Sequence, residues 1–179
     1  MKNIFFIACV FFSVSTYAQV QTPKASPVVK IQQKVGLADI QLEYSRPGAR
    51  GRVIFGDLIP FDETWRLGAN ENTKLTCSEA LIFGKDTLKA GTYALFAKPG
   101  KQSWTLYFYT DYSNWGLPET WDAQKVALEL TAAVQKKQDF QENLAITIDA
   151  MNNSGANLEI AWENTKIVVP WHQWGLAEA

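Results

Sequence analysis

Residues 90–110 read AGTYALFAKPGKQSWTLYFYT and contain the two clearest strand signals in the chain. TYALFAK and SWTLYFYT are rich in aromatic and other strand-favouring residues, and the PGKQ between them is typical of a tight turn. This stretch therefore predicts a β-hairpin.

Short strands are predicted along most of the remaining chain. Residues 29–35 and 40–44 alternate apolar and polar side chains and predict a second antiparallel hairpin. Residues 126–134, VALELTAAV, have the composition of a helix, but their alternation favours a strand. LAITIDA, NLEIAW and KIVVPW predict further strands near the C-terminus. Roughly nine or ten short strands spaced by about 8 to 12 residues predict a single all-β antiparallel β-sandwich, of which the jelly roll is one form.

The first 18 residues have the features of a secretory signal peptide. Lys2 is followed by an apolar run from Ile4 to Val14, and the small residues around Ala18 fit a cleavage site. The apolar run is too short for a permanent membrane span. We expect cleavage after Ala18, a periplasmic or secreted mature chain without a membrane span, a flexible linker over residues 19–27, and one domain over residues 28–179.

Composition excludes several classes of function. Without residues 1–18 the chain has 16 basic and 18 acidic residues, a net charge of −2, so no nucleic-acid binding is predicted. Cys77 is then the only cysteine, and we expect a buried thiol without a disulfide. The single histidine, His172, excludes zinc sites that need several histidines, and no nucleotide-binding motif occurs. No metal, cofactor or catalytic residue is predicted.

The stretch from Glu43 to Glu71, EYSRPGARGRVIFGDLIPFDETWRLGANE, is here called the arginine-rich segment. It contains all four arginines of the chain and none of its 13 lysines. The strand pattern stops within it, which predicts a long loop that crosses the sandwich. In one interpretation the arginines form ion pairs that hold this loop, with the acids of the same segment: Glu43, Asp57, Asp62, Glu63 and Glu71. In the other, two or three guanidinium groups face a pocket and bind an anionic ligand.

Aromatic and amide side chains accompany the arginines. WRLGANE, residues 65–71, and SNWG, residues 113–116, place Trp, Asn and Arg on predicted loops. Such a set suits carbohydrate, because an indole face stacks on a sugar ring while polar groups bind hydroxyls. Glu63 and Glu71 would alternatively serve as the acid and base of a glycan-acting enzyme.

Several motifs together resemble an exported bacterial family catalogued as a domain of unknown function, number 2911. They are YSRPGARGRVIFG, WRLGANE, AGTYALF and NWG, and the resemblance extends over about residues 26–170. It implies no particular activity. It marks eight candidate ligand-binding residues: Arg46, Arg52, Trp65, Arg66, Asn70, Glu71, Asn114 and Trp115.

The leading hypothesis is a non-catalytic domain that binds a glycan or a small anion through a cleft on these loops. The alternatives are a glycan-acting enzyme using Glu63 and Glu71, and a structural or envelope-assembly protein without a small ligand.

Overall fold

The computed structural model describes residues 22–150, 152–173 and 175, and the predicted signal peptide lies outside them. Within this part of the chain there are ten strands and one 3₁₀ turn, Ala123–Lys125. The strands are β1 (Val28–Val35), β2 (Ala38–Ser45), β3 (Thr73–Cys77), β4 (Leu81–Phe83), β5 (Asp86–Leu88), β6 (Gly91–Pro99), β7 (Ser103–Tyr109), β8 (Val126–Ala133), β9 (Gln135–Ala150) and β10 (Gly155–Gln173). No helix among the described residues has the length and apolar character needed to cross a membrane.

Local alternation explains the two predicted hairpins, and both are confirmed. β1 pairs with β2 from Val28–Ser45 to Val35–Ala38, so that a two-residue turn joins the strands. Gly36 in this turn has a φ of 59°, which favours glycine. β6 and β7 pair up to Pro99 and Trp104, on either side of the predicted turn.

Two antiparallel sheets pack against each other, which confirms the predicted β-sandwich. The larger sheet has the order β1-β2-β3-β6-β7-β8, and the smaller has the order β5-β4-β10-β9. The larger sheet is thus a meander interrupted once, where the β4–β5 hairpin joins the opposite sheet. This strand order is simpler than the two Greek keys of a jelly roll.

The C-terminal strands differ from their prediction in two respects. The predicted strand LAITIDA is only the last part of β9, which begins at Gln135. β8 is a strand and pairs with β7, as its alternation indicated. NLEIAW and KIVVPW, however, belong to one long strand, β10, which has register shifts around Glu163. Glu163 has a φ of 52°, so the strand continues through a local irregularity instead of ending. The side chain of Glu163 accepts hydrogen bonds from the arginine-rich segment, as described below, and these bonds offset the energetic cost of this backbone conformation.

The core lies between the two sheets and is rich in tryptophan at one end. The Phe55 ring lies 4.8 Å from that of Trp104, and the Trp65 and Trp162 rings are stacked with centroids 5.8 Å apart. Trp104 and Trp162 are almost completely buried. Because Phe55 and Trp65 belong to the arginine-rich segment, this segment closes that end of the core.

The arginine-rich segment crosses between the sheets, as predicted. Between β2 and β3 it contains no strand, only isolated bridges. Gly48 bridges to Asn143 on β9 of the smaller sheet, and Trp65 bridges to Ala97 on β6 of the larger sheet. The segment therefore leaves the larger sheet, contacts the smaller one and returns.

Candidate ligand-binding site

The four arginines donate hydrogen bonds to main-chain carbonyl oxygens. These are the oxygens of Leu144 (from Arg46, 3.1 Å), Ala25 (from Arg50, 2.7 Å), Ala49 and Gly48 (from Arg52, 3.0 and 2.8 Å) and Asn70 (from Arg66, 3.2 Å). Three of these oxygens, those of Gly48, Ala49 and Asn70, belong to the strandless segment, where no strand ladder supplies donors. The planar guanidinium fork suits this task, since one side chain, Arg52, reaches two carbonyls.

The expected ion pairs between these arginines and the acids of the segment are not present. Among the described residues, every ion pair within 4.0 Å is formed by a lysine. Carboxylates near the segment bind main-chain N–H groups instead. Glu142 accepts from the amide of Arg50 at 2.8 Å, and Glu163 accepts from the amides of Ile54 and Phe55 at 2.8 and 3.4 Å. The arginines thus bind main-chain carbonyls of the segment, of β9 and of the residues before β1, while Glu142 and Glu163 bind amides of the segment.

A cavity of about 400 Å³ opens beside this segment. Three arginines line it, and its lining contains no acidic residue. The lining residues are Ala25, Ser26, Pro47, Gly48, Arg50, Arg52, Leu58, Ile59, Trp65, Arg66, Gly68, Ala69 and Trp162. Three positive charges without a lining carboxylate favour an anion in this cavity.

Trp65 and Trp162 form the aromatic part of the cavity lining. The indole N–H of Trp65 donates to the carbonyl of Gly68 at 3.2 Å, and that of Trp162 donates to the carbonyl of Glu142 at 3.1 Å. These bonds, together with the stacking of the two rings on each other, fix both indoles at the base of the cavity.

The residues before β1 form one wall of the cavity. Asn70 donates from its side-chain amide to the carbonyl of Ser26 at 3.3 Å and to the hydroxyl of Ser45 at 3.2 Å. Lys24 forms an ion pair with Glu71. Residues 24–27 of the predicted linker are therefore bound to the arginine-rich segment.

Neither glutamate considered for catalysis lines the cavity. The hydrogen bond from Lys24 holds the pKa of Glu71 below its ordinary value, which favours the ionised form over the protonated form that a general acid needs. Glu63 is exposed to solvent. The arrangement therefore offers no pair of carboxyl groups facing the cavity.

The SNWG motif lies next to Arg66. A Cβ atom at Gly116 would stand 2.9 Å from Nη1 of Arg66, and Gly116 has a φ of +74°. Trp115 beside it is 64% exposed, and Nζ of Lys24 lies 5.6 Å from the centre of its ring. Asn114 is half-buried and contributes to the low pKa of Asp111 through a side-chain hydrogen bond.

The structure thus divides the eight predicted ligand-binding residues into two groups. Arg52, Trp65 and Arg66 line the cavity. The other five do not: Arg46, Asn70, Glu71, Asn114 and Trp115. Sequence reasoning missed Arg50 and Trp162 as lining residues. Arg50 was visible as a member of the segment, whereas Trp162 lies in an ordinary strand pattern and gave no local signal.

The remaining reactive side chains stand apart from the cavity. Cys77 is a buried free thiol, and burial raises its pKa. His172 is exposed on β10, opposite Ile82 of β4. No cluster of three or more potential metal ligands occurs among the described residues.

The comparisons with known proteins support the family resemblance that the sequence motifs indicate. The chain matches the model of a family described as "Protein of unknown function (DUF2911)" over residues 26–171. No curated protein and no solved structure gives a significant match. The matched range includes the whole arginine-rich segment and nearly the entire cavity lining, and the chain therefore belongs to the DUF2911 family.

Proposed function

We propose that the protein is a non-catalytic binding domain whose cavity takes a small anionic ligand, with a sugar carrying a carboxylate as the preferred class. We further propose that it acts in the periplasm or outside the cell, after removal of residues 1–18.

One observation carries this proposal: Arg50, Arg52 and Arg66 line a single cavity without any acidic residue. Its volume of about 400 Å³ lies within the usual range of small-molecule sites, about 300 to 1,000 Å³. An arrangement built only to hold the loop does not require three guanidinium groups at one cavity.

The hydrogen bonds of these arginines support the same proposal. Arg52 uses Nε and Nη2 for main-chain carbonyls, and Arg66 uses Nη1. These bonds orient each guanidinium group, and its remaining N–H groups are available to the carboxylate of a ligand. Leu58 and Ile59 add apolar side chains to the cavity lining, while Trp65 and Trp162 form its buried base.

The test compares Arg52→Gln with Arg46→Gln, a matched control. Both arginines brace the segment through carbonyl oxygens, but only Arg52 lines the cavity. Calorimetric titration with glucuronic acid, glucose and glucose 6-phosphate should show binding of an anionic sugar and none of glucose. Arg52→Gln should weaken this binding by about 1.5 to 3 kcal/mol, the usual contribution of a hydrogen bond to a charged group. Arg46→Gln should leave it unchanged.

Absence of binding by any anionic sugar, or equal weakening in the two variants, would contradict the proposal. If both variants melt at lower temperature and no ligand binds, the arginines serve only to hold the segment. The protein would then be better regarded as a structural or assembly component.

A further inference from the structure

Trp115 is the most exposed tryptophan in the described part of the chain, with 64% of its surface accessible. It does not line the cavity, so the proposed function assigns it no role. An exposed indole has a large apolar face, and an isolated one often needs no explanation. Two further observations distinguish Trp115 from such a residue.

The first is that the loop carrying Trp115 is firmly held at both ends. Trp121 packs against three aromatic rings of the larger sheet, Phe96, Tyr107 and Tyr109, at 5.5, 5.2 and 4.8 Å. At the other end Asp111 forms an ion pair with Lys125 at 2.8 Å. Trp115 is therefore carried by a loop whose two ends are anchored to the larger sheet and β8, which lowers the conformational entropy lost on binding.

The second is that Trp115 adjoins the cavity on two sides. Its neighbour Gly116 is in contact with Arg66, which lines the cavity. Lys24, whose ammonium lies 5.6 Å from the Trp115 ring, directly precedes Ala25 of the cavity wall. Trp115 is thus linked to cavity-lining residues through Gly116 on one side and through Lys24, whose charge is paired with Glu71, on the other.

We propose that Trp115 is an outer subsite of the cavity and that the ligand is an acidic oligosaccharide of at least two sugars. The carboxylate of one sugar binds the arginines, and the ring of the next sugar stacks on the indole of Trp115. This inference rests on the proposed function, since it assumes that the cavity binds an acidic sugar.

The experiment is calorimetric titration of the full mature chain with uronic acids of increasing length. The probes are galacturonic acid with its α-linked dimer, trimer and tetramer, and the β-linked mannuronic acid series. Affinity should increase by about tenfold from monomer to a longer oligomer, the gain expected from one aromatic stacking contact. Trp115→Ala should abolish this gain and leave binding of the monomer unchanged.

Tyr112→Ala is the matched control, because Tyr112 is a 45% exposed aromatic residue of the same loop. It should preserve both the monomer affinity and the gain with length. Equal affinity for monomer and oligomers, or a gain that survives in Trp115→Ala, would overturn the inference while leaving the cavity proposal intact. Failure of every uronic acid to bind the unmodified protein would overturn both.

Discussion

Replacing Gly116 by alanine tests whether the SNWG loop and Arg66 are energetically coupled. The new Cβ atom would lie 2.9 Å from Nη1, 3.6 Å from Cζ and 3.7 Å from Cδ of Arg66. It would also force alanine to adopt a φ near +74°. A left-handed conformation costs an L-residue about 1 to 2 kcal/mol.

The contact with Arg66 adds a second cost. The guanidinium is the end of a flexible side chain and will move away, which breaks its 3.2 Å hydrogen bond to the carbonyl of Asn70. Loss of that bond adds about 1 kcal/mol, below the usual contribution of a charged donor because water reaches the half-buried group and replaces the carbonyl. The total of about 2 to 3 kcal/mol corresponds to a decrease of about 4 to 12 °C in melting temperature for a domain of this size.

Gly84→Ala is the control, measured by thermal and urea unfolding alongside Gly116→Ala. Gly84 has a φ of +61° and no atom within 4 Å of an added Cβ, so its variant shows the backbone strain alone. A double-mutant cycle with Arg66→Ala should give a coupling energy of about 1 kcal/mol. In the double variant the alanine at position 116 still has a strained backbone, but it no longer contacts a guanidinium group. Equal losses in Gly116→Ala and Gly84→Ala, with additive effects in the cycle, would refute the coupling.

Three other predictions concern single side chains. Glu163→Ala should lower the free energy of unfolding in urea by about 1 to 3 kcal/mol, because it removes the acceptor of two amides of the arginine-rich segment. Glu159→Ala, on the same strand, is the control and should lower it by less. The pKa of Asp111 is held well below its ordinary value by Lys125, so its stabilising effect is complete above about pH 4 and decreases as the pH falls further. The difference in melting temperature between wild type and Asp111→Asn should therefore be constant from pH 5 to 8 and shrink below pH 4; a difference that grows in acid would contradict this. Cys77 should react with a thiol reagent only after unfolding, since burial raises its pKa, and rapid labelling of the native protein would show that β3 opens readily.

The fold could be predicted from sequence because the alternation of apolar and polar residues is characteristic of strands with one buried face. β1, β2 and β8 each bury alternate residues, and this pattern outweighed the helical composition of VALELTAAV. The exception is β10, where the irregularity at Glu163 interrupts the pattern without ending the strand. Nothing local in the sequence shows that a distant loop supplies two amides to that glutamate.

The site could be predicted only in part because its walls come from distant parts of the chain. Arg52, Ala25 and Trp162 meet at one cavity although they belong to the segment, the residues before β1 and β10. The acids of the segment suggested ion pairs because they are near the arginines in sequence. In space, main-chain carbonyl groups of the segment and of β9 lie within hydrogen-bond distance of the guanidinium groups and accept from them instead.

The unequal distribution of tryptophan between core and surface gives the protein an optical property. Among the described residues, Trp65, Trp104, Trp162 and Trp171 are buried, whereas Trp115 is 64% and Trp121 37% exposed. Buried indoles emit at shorter wavelengths and are shielded from dissolved quenchers, so emission at the red edge of the spectrum should come largely from the surface. A quencher such as acrylamide would act first on Trp115, and a ligand that covers this ring would reduce that quenching. Unfolding would instead shift the emission of the buried indoles, so binding at the surface and loss of the core can be followed separately without a label.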